Sequence, residues 1–481
     1  MGIELYQDQM ELVQELREVM RRILREGRRK SILVQAATGA GKSVISAFMI
    51  ASSRAKKTRS AFVVPRKELL KQMADTFSKF HIPHSYVAAG NPFNQHSYTH
   101  ICSAMSLINR LDHINPQVVF IDETHFGTGA LETIINYYLD KGAWVIGLSA
   151  TPMKMSGQGL EDWYEEMVCG KSIRWLIDNK RLSEYRGFAP SHVDLQGMNK
   201  SGGDYARGQL DDKMSDNVII GDAVKHYKEH AAGLLNIAFC AGIKSSQLTA
   251  ERFRAEGVIA VHVDGKTSSS DLRQTMRDYA THQIEVLTNS DLLTFGFDLA
   301  SNAGMPVNVQ CISDLRPTTS LPLQLQKWGR GLRYDGDTHL MFDHANNFEK
   351  HGLPCDEREW TLASHEAGSR DPYEITVDVR QCPVCYRCHE PGPKCPSCGY
   401  EYPPQSREIE EIEGDLVEIE RERKREVKKR KKVAKAKRVE KNREMSPGDK
   451  EAARHARRKH LKAKGYSHKQ IYFVFKGEGL L

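Results

Sequence analysis

No stretch of this 481-residue sequence is apolar over anything close to the roughly 18 residues that a membrane-spanning helix requires. The first residues, MGIELYQDQMELVQ, also lack the basic and then apolar pattern of a secretory signal peptide. No short-period repeat is present, and the 40% hydrophobic and 27% charged residues are ordinary for a folded, water-soluble protein. The sequence therefore predicts a cytoplasmic protein with no membrane partner, long enough for two or three domains with cores of their own.

The ten cysteines do not form the framework of a disulfide-bonded secreted domain, because five of them are scattered singly along the chain. The other five crowd between Cys382 and Cys398. Two Cys-x-x-Cys pairs, Cys382 with Cys385 and Cys395 with Cys398, predict one tetrahedral Zn²⁺ site. Four thiolates leave no position for a catalytic water, so the predicted role of the zinc is structural. A set that uses Cys388 in place of Cys382 stays open as an alternative.

Positive charge is concentrated at one end of the chain. The formal net charge is +7, yet residues 405–481 alone hold 24 Lys and Arg residues against 14 Asp and Glu. The preceding part of the chain is therefore slightly acidic. Clustered positive charge is typical of proteins that bind a phosphate backbone, although a solvated charged helix would have the same composition.

Short apolar runs alternate with helical patterns in two successive parts of the chain. The runs are SILVQAA, SAFVVP, QVVFIDE and AWVIGLSA in the first part, and NIAFCA, VIAVHVDG, IEVLTNS and NVQCISD in the second. Such runs, separated by helices, indicate parallel sheets that are covered on both faces. The sequence therefore predicts the α/β class, with this domain order: a first α/β unit 1–165, a connector 166–215, a second α/β unit 216–352, a zinc ribbon 375–403, a charged helix 404–446 and a small basic helical segment 447–481.

A phosphate-binding loop is predicted directly after the first apolar run. The segment AATGAGKS is followed by the helical pattern VISAFMIAS. Glycines allow backbone N–H groups to close around phosphates, and the N-terminus of the next helix favours an anion. Lys42 would reach the β- and γ-phosphates and Ser43 would bind Mg²⁺. The predicted ATP-binding residues of this loop are Thr38, Gly39, Ala40, Gly41, Lys42 and Ser43.

Two carboxylates follow the apolar run VVFI, in the segment Asp122-Glu123-Thr124-His125. A carboxylate at a strand end beside a phosphate-binding loop suits a Mg²⁺ ligand, which predicts that role for Asp122. Glu123, one residue later, would orient and deprotonate the attacking water. An isolated Asp-Glu pair is more often a simple turn, so the functional interpretation depends on the phosphate-binding loop upstream.

These motifs, and others in the same order from Leu5 to about Gly352, resemble those of superfamily 2 helicases of the DExH type. Among them, the sequence is most similar to the prokaryotic and phage branch that contains RadD-like, UvsW-like and XPB-like proteins. The segment Leu5-Tyr6-Gln7 resembles the N-terminal glutamine motif of the family, which implies that Gln7 recognises adenine. The segment VVPR, which ends at Arg66, and the segment SAMSL resemble elements that contact the nucleic-acid backbone.

Three further motifs carry the resemblance into the second half. The segment SATP, residues 149–152, is similar to the motif that couples hydrolysis to movement. The stretch that ends in Gly296-Phe297-Asp298 resembles the motif bridging nucleic acid and nucleotide, which implies a place for Asp298 at the nucleotide. The segment QKWGRGLR resembles the last motif of the family, which implies catalytic roles for Gln326, Arg330 and Arg333. The two arginines would supply positive charge to the γ-phosphoryl group from the other half, as arginine fingers do.

The resemblance implies two RecA-like lobes and an ATP-dependent helicase or translocase whose nucleic-acid partner is DNA more than RNA. It also implies work in replication, recombination or repair, with protein partners at the C-terminal region, inside a bacterial cell or a phage-infected host. Two other functions remain open. One is a binding scaffold on an inactive ATPase fold, and the other is the motor part of a restriction or nuclease system. The sequence contains no convincing nuclease carboxylate cluster, so cleavage would require a partner subunit.

Overall fold

A computed structural model describes residues 3–189, 195, 197–201, 204–294, 296–364 and 379–402, and five single residues near the C-terminus. The chain divides into two compact units, residues 1–402 and 403–481. The predicted charged helix 404–446 and most of the basic segment 447–481 lie outside the described residues. In the second unit, the guanidinium carbon of Arg458 lies 5.8 Å from the ring centroid of Phe475. None of the helices described is long and apolar enough to cross a membrane.

The first lobe is a seven-stranded parallel sheet in the order β3-β4-β2-β5-β6-β1-β7. Its strands are β1 (Ser31–Gln35), β2 (Ser60–Val64), β3 (Ser85–Val87), β4 (Thr99–Ser103), β5 (Val118–Ile121), β6 (Trp144–Ser149) and β7 (Glu166–Cys169). Its helices are α1 (Gln7–Glu26), α2 (Lys42–Ala55), α3 (Glu68–Lys79), α4 (Ala104–Leu107) and α5 (Gly129–Asp140).

Both faces of this sheet are buried, as the apolar runs predict. Along β2, the side chain of Phe62 belongs to one apolar cluster and that of Val63 to another on the opposite face. Phe120 and Ile121 of β5 divide in the same way. Successive side chains of a strand point to opposite faces, so a continuous apolar run can fill two cores at once.

The second lobe is a six-stranded parallel sheet in the order β12-β13-β11-β14-β15-β8. Between the two sheets, the chain forms α6 (Ile173–Asp178), β8 (Tyr185–Phe188), the hairpin of β9 (Lys200–Ser201) and β10 (Asp204–Tyr205), and α7 (Arg207–Lys213). The other strands of the second sheet are β11 (Asn236–Cys240), β12 (Ala260–Val263), β13 (Val286–Asn289), β14 (Cys311–Leu315) and β15 (His339–Asp343). Its helices are α8 (Asn217–His230), α9 (Ile243–Ala255), α10 (Ser269–Ala280), α11 (Leu299–Ala303), α12 (Leu321–Arg330) and α13 (Asn347–His351).

The segment predicted as a connector, residues 166–215, contributes a strand to each sheet. Strand β7 pairs in parallel with β1 and extends the first sheet beyond residue 165. Strand β8 pairs in parallel with β15 and forms an edge of the second sheet. In sequence, α6 lies between β7 and β8, and α7 lies between β10 and α8.

The cysteine-rich segment lies against β8. It contains a short antiparallel pair, β16 (Arg380–Gln381) and β17 (Cys388–His389). Arg387 forms an antiparallel bridge to Phe188, and the backbone N–H of Ala189 donates to the carbonyl of Tyr386 at 3.3 Å. This contact covers part of a sheet edge whose backbone groups would otherwise face solvent.

The chain that follows the second lobe returns to the first. The carbonyl of Leu362 accepts hydrogen bonds from the backbone N–H groups of Leu160 and Glu161, at 2.9 Å and 3.1 Å. The hydroxyl of Ser364 accepts another from the N–H of Gly159, at 3.0 Å. These bonds attach residues 362–364 to the first lobe. The chain segments before and after the second lobe are therefore both attached to the first lobe.

Candidate active site and metal centre

The phosphate-binding loop joins β1 to the N-terminus of α2, as the sequence predicts. Gly39 and Gly41 have φ values of 88° and 86°, in the left-handed region that favours glycine. A Cβ atom at Gly41 would lie 2.5 Å from the side-chain nitrogen of Gln9. The ammonium of Lys42 donates to the carbonyl of Ala36 at 3.1 Å. The loop is thus arranged around an open space at the N-terminus of a 14-residue helix.

That open space is a cavity of about 530 Å³ between the two lobes. Residues of the phosphate-binding loop, the acidic segment and the second lobe all line it, which brings together groups far apart in sequence. The lining residues that the sequence predicts are Thr38, Gly39, Gly41, Lys42, Ser43, Asp122, Glu123, Gln326, Arg330 and Arg333. Ala40 is buried beside them.

Asp122 and Glu123 follow the carboxyl end of β5, at the same sheet edge as the loop after β1. Burial and the neighbouring charge of Glu123 raise the pKa of Asp122 to about 7, while the ammonium of Lys42 opposes this shift. Glu123 has a φ value of 44°, which is a strained backbone conformation for a residue with a side chain. A partly buried carboxylate of raised pKa beside a phosphate-binding loop gains from a cation, so the site fits Mg²⁺.

A chain of polar contacts leads from Glu123 to the segment SATP. The ring of His125 is fully buried, with Nδ1 3.3 Å from a Glu123 carboxylate oxygen and 3.0 Å from the hydroxyl oxygen of Ser149. Burial lowers the pKa of His125 even though the carboxylate of Glu123 opposes this, so the ring is neutral at pH 7. The Ser149 hydroxyl donates to the carbonyl of Thr151 at 2.6 Å. Two motifs that are separate in sequence therefore form one hydrogen-bonded unit.

The second lobe contributes three polar side chains from α12 and the turn after it. The amide nitrogen of Gln326 lies 3.3 Å and 3.4 Å from the two carboxylate oxygens of Glu123. Arg330 is buried and donates to the carbonyls of Phe297 at 2.5 Å and Thr294 at 3.2 Å. Burial, and then the charge of Arg333, lower the pKa of Arg330 to about 9. Both arginines line the cavity, which is the geometry that an arginine finger requires.

The two lobes are in contact around this cavity. A Cβ at Gly329 of α12 would lie 2.3 Å from the side chain of Thr38, so glycine permits the helix to approach the phosphate-binding loop. The hydroxyl of Ser301 donates to Asp75 across the lobes at 2.8 Å, and that of Ser320 donates to the carbonyl of Met155 at 3.1 Å. The two lobes therefore touch beside the cavity that both arginines and the phosphate-binding loop line.

Two residues predicted at the nucleotide occupy other places. Gln7 is exposed and its amide donates to Glu11 at 3.1 Å, along the same helix. Asp298 caps α11, where its carboxylate accepts from the N–H groups of Ala300 and Ser301, and it lies 3.9 Å from a guanidinium nitrogen of Arg333. Neither side chain is among those that line the cavity.

Gln9 is the glutamine of this segment that reaches the cavity. Its side-chain nitrogen donates to the carbonyl of Ala40 at 2.9 Å, and its side-chain oxygen accepts from the N–H of Tyr6 at 3.2 Å. Gln7 and Gln9 are two residues apart at the start of α1, so they lie on different faces of the helix. Only Gln9 lies on the face toward the phosphate-binding loop. The cavity is also lined by Tyr6, which belongs to the same motif, and by Glu4, Lys180 and Arg181, which no sequence motif indicated.

A second cavity of about 630 Å³ also lies between the lobes. The first lobe contributes Arg66, from the segment resembling a backbone-contacting motif, and the second contributes Arg207 and Lys266. At the N-terminus of α9, the carboxylate of Asp211 accepts from the N–H groups of Lys244 at 3.1 Å and Ser245 at 2.8 Å. Three cationic side chains and three carboxylates, those of Asp211, Asp264 and Asp291, line this groove, and Arg207 pairs with Asp291 at 2.9 Å.

The four cysteines of the two Cys-x-x-Cys pairs converge. Their sulfur atoms all lie within 4.8 Å of one another, with Cys382 and Cys398 3.5 Å apart and Cys385 and Cys395 3.6 Å apart. Sulfur ligands in a tetrahedron with Zn–S bonds of about 2.3 Å are roughly 3.8 Å apart, so the set fits zinc. Cys388 lies outside this group, buried where β17 contacts β8. Of the two ligand sets that the sequence left open, the structure assembles the one with Cys382.

This chain is similar to known proteins, both in its first lobe and over most of its length. Residues 2–154 match the family model described as "Type III restriction enzyme, res subunit". A "51.5 kDa protein" of Lactococcus phage (isolate 7-9) is 32% identical over 395 residues, which cover 81% of this chain and 83% of the phage protein. The "Putative ATP-dependent helicase IRC3" of Saccharomyces cerevisiae is 26% identical over 339 residues, which cover 66% of this chain but 48% of the yeast protein.

Among solved structures, the "ATP-dependent Type ISP restriction-modification enzyme LlaBIII bound to DNA" has a similar fold. The TM-score is 0.53 at 15% identity, and the match covers 72% of this chain and 28% of LlaBIII. A likeness at this identity concerns the fold alone. It is consistent with the two parallel-sheet lobes that meet at the phosphate-binding loop.

Proposed function

Because this chain belongs to the family of the 51.5 kDa Lactococcus phage protein, within superfamily 2 of the helicases, we propose that it is an ATP-driven DNA helicase or translocase. The observation that carries the proposal is the single cavity lined by Lys42 of one lobe and by Arg330 and Arg333 of the other. Within the superfamily we place the chain in the DExH group, on the segment Asp122–His125, and in the RadD-like, UvsW-like and XPB-like branch. Its work belongs to DNA replication, recombination or repair.

The polar groups that the sequence motifs indicated each have a role in this proposal. Lys42 and the loop N–H groups bind the β- and γ-phosphates, and Ser43 and Asp122 hold Mg²⁺, which neutralises phosphate charge when bound. Glu123 accepts a proton from the attacking water, and the amide of Gln326, which is within reach of the same carboxylate, keeps it oriented. Arg330 and Arg333 stabilise the charge that develops on the transferred phosphoryl group.

Hydrolysis would change the contacts that hold the lobes together. The nucleotide bridges groups of both lobes, so its loss removes the main attraction across the cavity. The polar path from Glu123 through His125 to Ser149 connects the carboxylate with the segment SATP, beside the interface. DNA in the groove lined by Arg66, Arg207 and Lys266 would then be held alternately by the two lobes. Contacts to the backbone make such stepping largely independent of base sequence.

The test is DNA-stimulated ATPase activity of the full chain and of two variants, Lys42→Ala and Arg330→Ala. We expect each to lower kcat by at least about a thousandfold, since an arginine finger alone contributes on the order of 10³. Arg277→Ala is the matched control, because Arg277 is an exposed residue of α10 remote from the cavity lining. Circular dichroism would show that all the variants fold. Activity near that of the parent protein in either cavity variant would contradict the proposal.

A second candidate is the motor part of a restriction or nuclease system, which the restriction-subunit model matching residues 2–154 favours. In the described part of the chain, the cysteine set is the one group of three or more metal-ligating residues, so no carboxylate cluster for cleavage is seen there. We therefore expect the chain alone to leave supercoiled DNA intact in the presence of ATP and Mg²⁺. Nicking or linearisation by the purified chain, lost in Lys42→Ala, would favour the second candidate.

A further inference from the structure

The chain that leaves the second lobe crosses back to the first as a short segment, residues 353–364, which we call the strap. Its beginning is bound to the second lobe. The guanidinium of Arg358 donates to the carbonyl of His351, at the end of α13, at 2.9 Å. The hydroxyl of Tyr185 in β8 lies 3.0 Å from the sulfur of Cys355. The strap is therefore attached to both a helix and an edge strand of the second lobe.

The end of the strap is bound to the first lobe. Besides its carbonyl, which accepts two backbone hydrogen bonds there, Leu362 places its side chain against the apolar cluster on one face of the first sheet. Arg358, in the first attachment, and Leu362, in the second, are four residues apart, and an extended chain of that length spans at most about 14 Å. The strap therefore cannot follow a wide separation of the lobes while both ends stay bound.

One glycine of the first lobe makes the second attachment possible. A Cβ atom at Gly159 would lie 2.3 Å from the carbonyl oxygen of Leu362 and 2.5 Å from the backbone nitrogen of Ser364. Both are backbone atoms, which cannot rotate away as the end of a flexible side chain can, so only glycine permits this approach. Gly159 also forms an antiparallel bridge with Met153. The strap thus attaches to the turn that directly follows the segment SATP.

The same turn contacts the acidic segment and the helix that carries Arg330. The backbone N–H of Met155 donates to the carbonyl of His125 at 3.1 Å. The carbonyl of Met155 accepts from the hydroxyl of Ser320, at the N-cap of α12, at 3.1 Å. Residues 153–161 therefore contact the strap, the acidic segment and the second lobe at once.

The strap is a second connection between the two lobes. The first is the segment after β7, residues 169–173, which leads into α6. Both segments line a third cavity of about 510 Å³, whose wall also includes Thr38 of the phosphate-binding loop and Gly329 of α12. Two bodies that are joined at one point can swivel about it. Two separate connections restrict them to rotation about the axis through both points.

We propose that the strap makes the junction of the lobes a hinge with a single axis, so that Arg330 and Arg333 return in one orientation to the cavity that Lys42 lines. A misplacement of about 1 Å can lower a catalytic rate a hundredfold, so lobes that twist as they close would align these groups poorly. The alignment of the arginines rests on the proposed function. The restriction of movement does not, because it follows from the two attachments alone.

The test measures the separation of the lobes in the full chain by single-molecule fluorescence energy transfer. The dyes are attached through non-natural amino acids at Lys79 in α3 and Arg277 in α10, which are both exposed. Without nucleotide, we expect Gly159→Ala to broaden the distribution of transfer efficiency about twofold, because the added Cβ displaces the strap. Arg358→Ala, which releases the other end, should broaden it likewise. In both variants, DNA-stimulated kcat should fall about tenfold.

Gly129→Ala is the matched control, since it is the same substitution in the first lobe at a position where no atom lies within 4 Å of the added Cβ. It should leave the distribution and kcat unchanged, and circular dichroism would show that all the variants fold. Distributions as narrow as that of the parent protein in both strap variants would overturn the hinge. Broadened distributions with an unchanged kcat would overturn its role in alignment. Failure of the proposed function would look different, because the parent protein would then lack DNA-stimulated ATPase activity while the distributions still differed.

Discussion

At Asp122, the protonation state that the folded protein favours differs from the one that the proposed Mg²⁺ site requires. Its carboxyl group is enclosed beside the carboxylate of Glu123, and these two causes raise its pKa to about 7. A raised carboxyl pKa means that the folded protein favours the protonated form. The contribution of this group to stability is thus complete below the ordinary carboxyl pKa of 3.8, and it is lost progressively as the pH rises from there to about 7. The proposed Mg²⁺ site requires the opposite form, the carboxylate.

We therefore predict that binding of Mg²⁺ and nucleotide strengthens by up to about tenfold per pH unit between about pH 6 and about pH 7. Above that range the carboxylate is formed and the dependence levels off. Calorimetry at several pH values would measure the slope and the protons released. Asp122→Asn is the control, because ATP titrates equally in both proteins. Parallel slopes for the two proteins would show that Asp122 does not titrate in this range.

The glutamines at the start of α1 show that a sequence motif does not determine which side chain faces the phosphate-binding loop. Gln7 and Gln9 stand two residues apart at the start of α1, and the family resemblance favours Gln7. Successive helical positions are rotated by about 100°, so two residues of separation place the side chains on very different faces. The face of α1 that packs on the first lobe carries Gln9, which is 3% exposed. The packing of the helix places Gln9 against the phosphate-binding loop, and the role of Gln7 at the adenine stays a prediction.

At the scale of the element, a buried ion pair anchors helix α12 to the second sheet. This ten-residue helix carries Gln326 and Arg330, and all ten of its residues are buried. The ammonium of Lys327 is fully buried and lies 2.6 Å and 2.8 Å from the two carboxylate oxygens of Asp314, at the end of β14. It also donates to the carbonyl of Arg316 at 2.9 Å. This ion pair fixes the helix against its sheet and so orients the residues that face the cavity.

We predict that Lys327→Met lowers the free energy of unfolding by about 3–5 kcal/mol, because it leaves the Asp314 carboxylate buried without its cation. The double variant Lys327→Met/Asp314→Asn should recover part of that loss, since no unpaired charge remains. Urea unfolding followed by circular dichroism would provide both values. If the double variant were as unstable as the sum of the two single ones, the pair would not be coupled.

The zinc ribbon is the second element with a clear experimental test. The two cysteines Cys395 and Cys388 are both buried, at 2% and 6% exposure, but only Cys395 has its sulfur in the four-cysteine group. We predict that Cys395→Ser abolishes the stoichiometric zinc of the purified chain and lowers its melting temperature. Cys388→Ser should retain one zinc per chain. Metal content by mass spectrometry would decide, and loss of zinc in Cys388→Ser would restore the alternative ligand set.

At the scale of the whole molecule, the charge distribution bears on the proposed binding of DNA. The basic residues of 405–481 stand in contrast to the slightly acidic remainder of the chain. The inter-lobe groove adds few cations of its own, among them Arg66, Arg207 and Lys266. Since each neutralised phosphate releases counterions, the number of cations in contact determines how steeply salt weakens binding.

We predict that deletion of residues 405–481 weakens DNA binding and makes the plot of log affinity against log salt concentration shallower by several units. Fluorescence anisotropy with labelled single-stranded DNA at several salt concentrations would measure the slope. ATP binding without DNA should not change and serves as the control. An unchanged slope would instead assign the segment to protein partners.

Short sequence patterns predicted many features of this molecule because residues close together in sequence determine the backbone geometry of each feature. The glycines of AATGAGKS, the run VVFI before Asp122 and the two Cys-x-x-Cys pairs each specify a short backbone geometry, and the structure contains all of them. The two α/β lobes follow from apolar runs whose side chains fill cores on both sides of a sheet. The limits of the two lobes are harder to predict from the sequence. The short strands β7 and β8, which lie in the predicted connector, pair with β1 and β15, and these partners lie far away in sequence.

The sequence by itself determined which chemical groups are present and in which order: a phosphate-binding loop, two carboxylates, two arginines and a tetrathiolate set. Tertiary structure alone decided which of them meet. It brought Arg330 and Arg333 to the cavity that Lys42 lines, packed Gln9 against the phosphate-binding loop, and brought Arg181 to Tyr6 over a separation of more than a hundred residues. The physical reason is that a local pattern encodes backbone conformation, whereas contact between distant side chains depends on how complete elements pack together.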